Sequence, residues 1–253
     1  MKAGLRVIAG LVGYYAVLLL LAFCVSALAG GGTTHTGFQP QLAPERQWGF
    51  ILGFVVVFAP VLYGIVHLAR TRPDRSVRPS TTSIAGMFRA AGLTFLCAAP
   101  LEILVDSAFF RVTGQPCWEY RVWPIHMGFT SGVGAVMWPM YGAFVYAFHG
   151  ALRARDEFPA LHGWVGRAAL IAVEAMTLEI AANAYALIGF HTFYFYYWPG
   201  DLLHYTTMAI LVPYFVCGLV GVAALDCVER LPWPVAVGVG SWIAGVILMF
   251  GLA

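Results

Sequence analysis

The chain has 253 residues, of which 60% are hydrophobic and 10% are charged, and its mean hydropathy is +0.79. Soluble domains carry roughly 25% charged residues, so this composition excludes an ordinary soluble domain and predicts an integral membrane protein. The formal net charge of +2 is too small to indicate a nucleic-acid partner. The five cysteines form neither a CxxC pair nor a zinc-ligand spacing, and we predict no metal site and no cofactor.

Helices that cross a bilayer need about 20 mostly apolar residues. Seven such stretches predict an all-α fold, a polytopic membrane bundle of seven transmembrane helices that forms one domain over residues 1–253. The predicted spans are 5–29, 49–69, 84–110, 125–152, 168–192, 203–226 and 233–252. The first span follows two basic residues and ends in small residues, which is also typical of a signal peptide. Because its apolar run is longer than a signal-peptide core, we expect a retained helix.

Basic residues are distributed unevenly between the two sides of the predicted bundle. Ten lie at the N-terminus or in the loops after spans two, four and six, and three lie on the opposite side. Because positive residues accumulate on the cytoplasmic side, this bias predicts a cytoplasmic N-terminus. We expect a multi-pass protein of the cell membrane, most simply the bacterial inner membrane, with loops 111–124 and 193–202 on the far side.

One short segment occurs twice. The sequence PLEILVD at 100–106 returns as TLEIAAN at 177–183. Each copy is followed by an aromatic loop with a Trp-Pro pair and then by a histidine, so we predict a parallel repeat of hairpins 84–152 and 168–226. An ionised carboxylate in hydrocarbon costs several kcal/mol, so such residues usually face the interior of a bundle and mark a functional site.

The acids of the repeat are the candidate catalytic groups. Glu102 and Asp106 are four residues apart and share one helix face, and two like charges in a low dielectric keep one proton bound at neutral pH. This pair suits a general acid, with Asp106 assisting Glu102. Glu179 is the second acid, and we expect Asn183 to donate a hydrogen bond to it.

Histidines and aromatic residues complete the predicted site. His126 and His204 follow the two aromatic loops, and each is expected either to meet the acid of the preceding helix, as in a proton relay, or to cap a helix at the interface. The loops hold more aromatic residues than an interfacial belt needs, and ring faces stabilise cations by up to ~2 kcal/mol. The predicted substrate-binding side chains are Trp118, Tyr120, Trp123, Asn183, Tyr197 and Trp198.

The chain resembles the small integral-membrane terpenoid cyclases, which include meroterpenoid and carotenoid (lycopene-type) cyclases. The resemblance rests on length and span number, on Leu101-Glu102-Ile103 through Asp106, and on the two Trp-Pro loops, and it covers about residues 100–205. This chain lacks the paired Glu-Glu of the carotenoid enzymes. The resemblance implies a metal-independent enzyme whose partner is a lipid-dissolved polyprenyl chain or its epoxide. Glu102 would donate the first proton, and Glu179 or a histidine would remove the last.

Two other functions stay open at this point. The duplicated acids and histidines suit a proton-coupled transporter or channel, although Arg89 and Glu174 are the only charges near the cytoplasmic ends of spans three and five. A haem- or quinone-binding membrane subunit is the other alternative, with His67 and His149 as axial haem ligands.

Overall fold

The computed structural model describes residues 16–17, 20–25, 27–28, 41–70, 83–153, 163–228 and 230–251. The chain is mostly helical within these ranges. Its long helices are α1 (Pro44–Arg70), α2 (Ile84–Thr113), α3 (Gly134–Arg153), α4 (Trp164–Phe190), α5 (Leu211–Val228) and α6 (Pro234–Gly251). The described residues between 16 and 28 are also helical. The rest of the predicted first span lies outside the described residues, as do the basic residues Lys2, Arg6, Arg72, Arg75, Arg78 and Arg155.

Among the described residues, four helices are long and apolar enough to cross a membrane: α2, α4, α5 with the turn before it, and α6. The prediction of an integral membrane protein agrees with these four. Helix α3 coincides with the predicted fourth span but begins at Gly134 rather than at residue 125.

Four short strands depart from the predicted all-α fold. They are β1 (Trp118–Tyr120), β2 (Pro124–Ile125), β3 (Thr130–Ser131) and β4 (Phe195–Tyr197). They arise because the long loops after α2 and α4 are largely buried, and buried backbone N–H and C=O groups need hydrogen-bond partners. The loops supply these partners to each other: β1 pairs antiparallel with β4, and β2 pairs antiparallel with β3.

The β1–β4 pair joins the two copies of the repeat. Trp118 lies opposite Tyr197, Glu119 opposite Tyr196, and Tyr120 opposite Phe195. Because β4 follows β1 at the same interval that separates the two glutamates of the repeat, exchanging the copies maps this pairing onto itself. The two strands are therefore related by an approximate two-fold axis through the central pair. Helices α2 and α4 both end at this small sheet, which brings their acids to the same depth beneath it.

Helix crossings follow the same repeat. Helix α2 packs against α3 and α6, and α4 packs against α5. A methyl group added at Gly142 on α3 would lie 2.6 Å from the carbonyl oxygen of Ala90, and one added at Gly218 on α5 would lie 2.8 Å from that of Ala168. Each hairpin thus closes around one glycine at an equivalent position, which lets the paired helices approach closely.

Candidate active site

The carboxylate of Glu102 on α2 is held by side chains from three other elements. The Tyr120 hydroxyl on β1 donates to Oε1, and the Thr130 hydroxyl on β3 donates to Oε2 at 2.6 Å. The indole of Trp138 on α3 lies beside the same carboxyl group in the cavity wall. These contacts fix the carboxyl group beneath the sheet. We call this arrangement the Glu102 half-site.

Glu179 on α4 has an equivalent set of partners. Tyr197 on β4 donates to Oε1 at 2.5 Å, and Thr206 donates to Oε2 at 2.5 Å. The hydroxyl of Tyr214 on α5 donates to Oε1 as well. The order and spacing of these residues match those of the first set to within one position. This Glu179 half-site therefore repeats the first, with a phenol where the first has an indole.

Asp106 holds the loop that carries Tyr120. Its Oδ1 accepts backbone N–H hydrogen bonds from Cys117 at 2.6 Å and from Trp118 at 3.4 Å, and the side chain is fully buried. The carboxylate therefore anchors the start of β1, which positions Tyr120 against Glu102.

Asn183 does the same for the second loop. Its Oδ1 accepts backbone N–H hydrogen bonds from Tyr194 at 3.0 Å and Phe195 at 3.2 Å. Its Nδ2 donates to the carbonyl of Tyr205 at 2.9 Å. The expected hydrogen bond from Asn183 to Glu179 is therefore wrong, because the amide is used to fasten the loop on both sides.

The Glu102 half-site has Asp106 where the Glu179 half-site has Asn183, and a second difference between the two half-sites compensates for this one. The carbonyl of Phe129, equivalent to that of Tyr205, accepts a hydrogen bond from the Trp118 indole at 2.9 Å. A carboxylate has no N–H to offer, so the indole supplies the donor that an asparagine supplies in the other copy. The residue equivalent to Trp118 is a phenylalanine, which has no donor.

Both glutamates line one cavity of about 140 Å³ between the helices. Helices α1 to α5 and both aromatic loops contribute to its wall. The remaining lining residues are Phe54, Phe58, Tyr120, Met137, Trp138, Met140, Tyr141, Phe144, Ala175, Leu178, Ala182, Tyr194, Phe195 and Tyr214. The site is therefore an apolar, largely aromatic chamber with two carboxyl groups in its wall.

The two histidines are placed differently from the prediction. His126 Nε2 contacts the carbonyl of Met249 at 2.6 Å, and His204 Nδ1 contacts the carbonyl of Tyr197 at 2.7 Å. Both have positive φ, 52° and 63°, and neither begins a long helix, since His126 starts a short 3-10 turn and His204 lies in a turn before α5. The expected His–carboxylate pairs do not form, and tyrosine and threonine hydroxyls take their place beside the acids.

Of the predicted aromatic binding residues, Tyr120 lines the cavity and Tyr197 reaches it through Glu179. The three tryptophans lie in the loop layer instead: Trp118 donates to a backbone carbonyl, Trp123 packs against Trp48, and Trp198 packs against Tyr196.

Sequence reasoning missed the threonines and the residue that each half-site receives from the following helix. Thr130 and Thr206 follow their glutamates at intervals that differ by a single position, and Trp138 and Tyr214 lie at one and the same interval beyond the threonines. That equal spacing is the signal that would have paired them.

The loop tyrosines remain protonated donors. Burial, followed by the charge of the adjacent glutamate, raises the pKa of Tyr120 and of Tyr197 well above the ordinary value. Their hydroxyls therefore stay neutral across the physiological range and can keep donating to the carboxyl groups.

A second polar cluster lies apart from the cavity. His149 Nε2 contacts Glu174 at 3.1 Å, and Arg167 forms a bidentate ion pair with Asp226. His149, suggested as a haem ligand, is thus engaged through Nε2 with Glu174, and the His67 side chain lies outside the described residues. Within the described parts of the chain, no group of three or more His, Cys, Asp or Glu residues is arranged to hold a metal ion.

Comparison with protein-family models, with curated proteins and with solved structures found no match to this chain. The geometry of the two half-sites is therefore the basis for assigning a function.

Proposed function

We propose that this protein is a membrane-embedded enzyme that acts on a lipophilic isoprenoid substrate and closes a ring after protonating it. The observation that supports the proposal is the pair Glu102 and Glu179 in the wall of one cavity that is otherwise mostly aromatic. A proton-initiated cyclisation needs an acid, a base and ring faces that stabilise the cation formed between them. Exclusion of water protects that cation from premature capture.

Glu102 is the proposed proton donor and Glu179 the proposed acceptor. We assign the negative charge of the first pair to Asp106, which lies one helical turn from Glu102 and accepts two backbone N–H hydrogen bonds. A second negative charge beside it is disfavoured, so Glu102 keeps its proton. The neighbour of Glu179 is the neutral Asn183, and three hydroxyl donors stabilise a carboxylate there.

The proposed reaction balances without an oxidant or a reductant. The proton of Glu102 adds to the less substituted carbon of the terminal alkene and leaves a tertiary cation on its neighbour, or it adds to an epoxide oxygen and the C–O bond to the more substituted carbon breaks to give that cation. The π electrons of a second alkene in the same chain then form a carbon–carbon bond and close a ring. Glu179 removes a proton next to the new cation, and the C–H electrons become a ring alkene. The product is an isomer of the substrate, and the proton returns to Glu102 before the next turnover.

The size of the cavity limits the part of the substrate that reacts. Its volume of about 140 Å³ is close to the ~150 Å³ of an engineered apolar cavity that holds one benzene molecule. One ring-forming end of an isoprenoid fits this space, and the remaining chain would extend between the helices toward lipid. We therefore propose closure of a single ring in each event.

The cellular setting is part of the same proposal. We propose a seven-span protein of the bacterial inner membrane with a cytoplasmic N-terminus, in which the cavity lies in the outer half of the bilayer. A substrate dissolved in the membrane would then reach the cavity without crossing water.

Expression in a host supplied with acyclic polyprenyl precursors and their epoxides tests the function, with mass analysis of lipid extracts. We expect a product of the same mass as its precursor with one additional ring. Glu102→Gln and Glu179→Gln should each lower the yield by about 10²–10⁴-fold, since each removes a proton-transfer group. Glu45→Gln, at an exposed position in the first turn of α1, is the matched control and should keep full yield. An oxygenated or methylated product, or full yield from both cavity variants, would refute the proposal.

A further inference from the structure

Within the part of the chain that the structure describes, the cavity wall has acidic groups and aromatic rings but no basic group. Among the described residues that line it, nine of sixteen are aromatic, two are glutamates, and none is lysine, arginine or histidine. Basic side chains described elsewhere lie in other parts of the fold, such as Arg121 in the outer loop and Arg167 at the start of α4. The chamber therefore has the electrostatic character of a site for a cation.

Glu179 retains capacity for one more donor. An ionised carboxylate can accept about four hydrogen bonds, and the hydroxyls of Tyr197, Thr206 and Tyr214 use three of these positions. Because Glu179 itself lines the cavity, a ligand that enters can reach the remaining position.

We propose that the cavity binds lipophilic tertiary amines in their protonated form, with the ammonium N–H donating to Glu179 and the N-alkyl groups lying against the aromatic faces. A buried ammonium ion loses its hydration, and only a charge-assisted hydrogen bond together with cation–π contacts can offset that loss. The cavity volume limits the ligand to an ammonium group with one ring-sized apolar substituent.

The inference rests on the proposed function in one respect, the assignment of the negative charge to Glu179. The competing description is an ordinary apolar cavity that takes any hydrocarbon of the right size. A neutral ligand of the same shape separates these two descriptions, because it keeps the apolar contacts and lacks the charge.

The test compares N,N-dimethylbenzylamine with isobutylbenzene, which has the same shape with a CH group in place of the nitrogen. Both are titrated calorimetrically into the full chain in lipid nanodiscs, with empty nanodiscs as the correction for partition into lipid. We expect the amine to bind at least roughly ten-fold more tightly than the hydrocarbon. Glu179→Gln should abolish this preference, whereas Glu102→Gln and the exposed control Glu45→Gln should keep it.

The hydrocarbon also reports whether each variant is folded. A Glu179→Gln protein that binds isobutylbenzene like the parent has an intact cavity, and its loss of preference then belongs to the carboxylate. Equal binding of the two ligands by the parent protein overturns the inference. An undiminished preference in Glu179→Gln, or a preference lost in Glu102→Gln instead, overturns it too.

The outcome is separable from that of the cyclisation experiment. A preference for the amine without any cyclised product would support the amine site and refute the proposed reaction. A cyclised product from a protein that shows no preference for the amine would support the reaction and refute the amine site.

Discussion

The Glu102 half-site and the Glu179 half-site use the same construction with two exchanges. Both hold a glutamate by a strand tyrosine and a loop threonine, and both fasten the strand through a side-chain oxygen one helical turn beyond the glutamate. The exchanges are Asp106 for Asn183 and Trp138 for Tyr214. The shared parts build a holder for a buried carboxyl group, and the differing parts change the charge and the donors around it. One architecture can thereby give two identical side chains opposite roles.

Removing the strand anchors should have the largest effect on stability. Asp106→Ala and Asn183→Ala each leave two buried backbone N–H groups without an acceptor, and each unmet donor costs about 1–3 kcal/mol. We expect each variant to lose about 2–6 kcal/mol, measured as the free energy of unfolding in detergent micelles.

Val112→Ala on α2 is the control, because that side chain is 86% exposed. It should behave like the parent. If either anchor variant were as stable as Val112→Ala, the two-fold construction would not depend on these contacts, and the comparison of the half-sites would lose its basis.

Tyrosine-to-phenylalanine variants should report which glutamate is charged. A hydrogen bond to a charged group contributes about 1.5–3 kcal/mol and one to a neutral group about 0.5–1.5 kcal/mol. With the charge on Glu179, Tyr197→Phe should destabilise the protein more than Tyr120→Phe. Tyr205→Phe calibrates the neutral case, since its hydroxyl donates to the carbonyl of Ala22 at 3.0 Å.

The same unfolding measurement decides the order of the three variants. We expect Tyr120→Phe to match Tyr205→Phe and Tyr197→Phe to exceed both. The reverse order would assign the negative charge to Glu102 and exchange the proposed donor and acceptor.

Composition and the repeated LEI motif were sufficient to predict a membrane protein with two acids that face its interior. The residues that contact those acids were harder to predict. Several residue types occur in the same order in both copies, but only some of them are separated by the same number of residues as the two glutamates. The two tyrosines that contact the acids, Tyr120 and Tyr197, are separated by the same interval as Glu102 and Glu179. The two Trp-Pro pairs are closer together than that interval and the two histidines are farther apart, so both fall out of register in the loops.

Contacts from the later helices depend on tertiary packing. Trp138 and Tyr214 reach the glutamates only because each hairpin closes at its glycine, Gly142 or Gly218. No local pattern specifies that distance. The pairing of β1 with β4 was missed for a related reason. Their hydrogen-bond partners lie in the other copy of the repeat, far away along the chain, and neither short segment has a sequence pattern that predicts a strand.

The smallest expected effect on stability concerns the two paired differences near the strand anchors, which are Asp106 in place of Asn183 and the hydrogen bond of Trp118 in place of that of the Asn183 amide. In the Glu102 half-site, Asp106 has no donor and the Trp118 indole binds the carbonyl of Phe129. In the Glu179 half-site, the amide of Asn183 binds the carbonyl of Tyr205. Asp106→Asn therefore adds an N–H₂ group that competes with the indole for one carbonyl, and Trp118→Phe alone leaves that carbonyl without its donor.

The double variant Asp106→Asn with Trp118→Phe recreates the arrangement of the other half-site, so its cost should be smaller than the sum of the two single costs. We expect a coupling of about 0.5–1.5 kcal/mol in a double-mutant cycle of unfolding free energies, in the range typical of contacting residues. Additive costs would mean that the two exchanges arose independently of each other. A double-variant cost below that sum would mean that the Trp118 indole compensates for the donor that Asp106 lacks, so that the Glu102 half-site can hold a negative charge on Asp106 where the Glu179 half-site has the neutral Asn183.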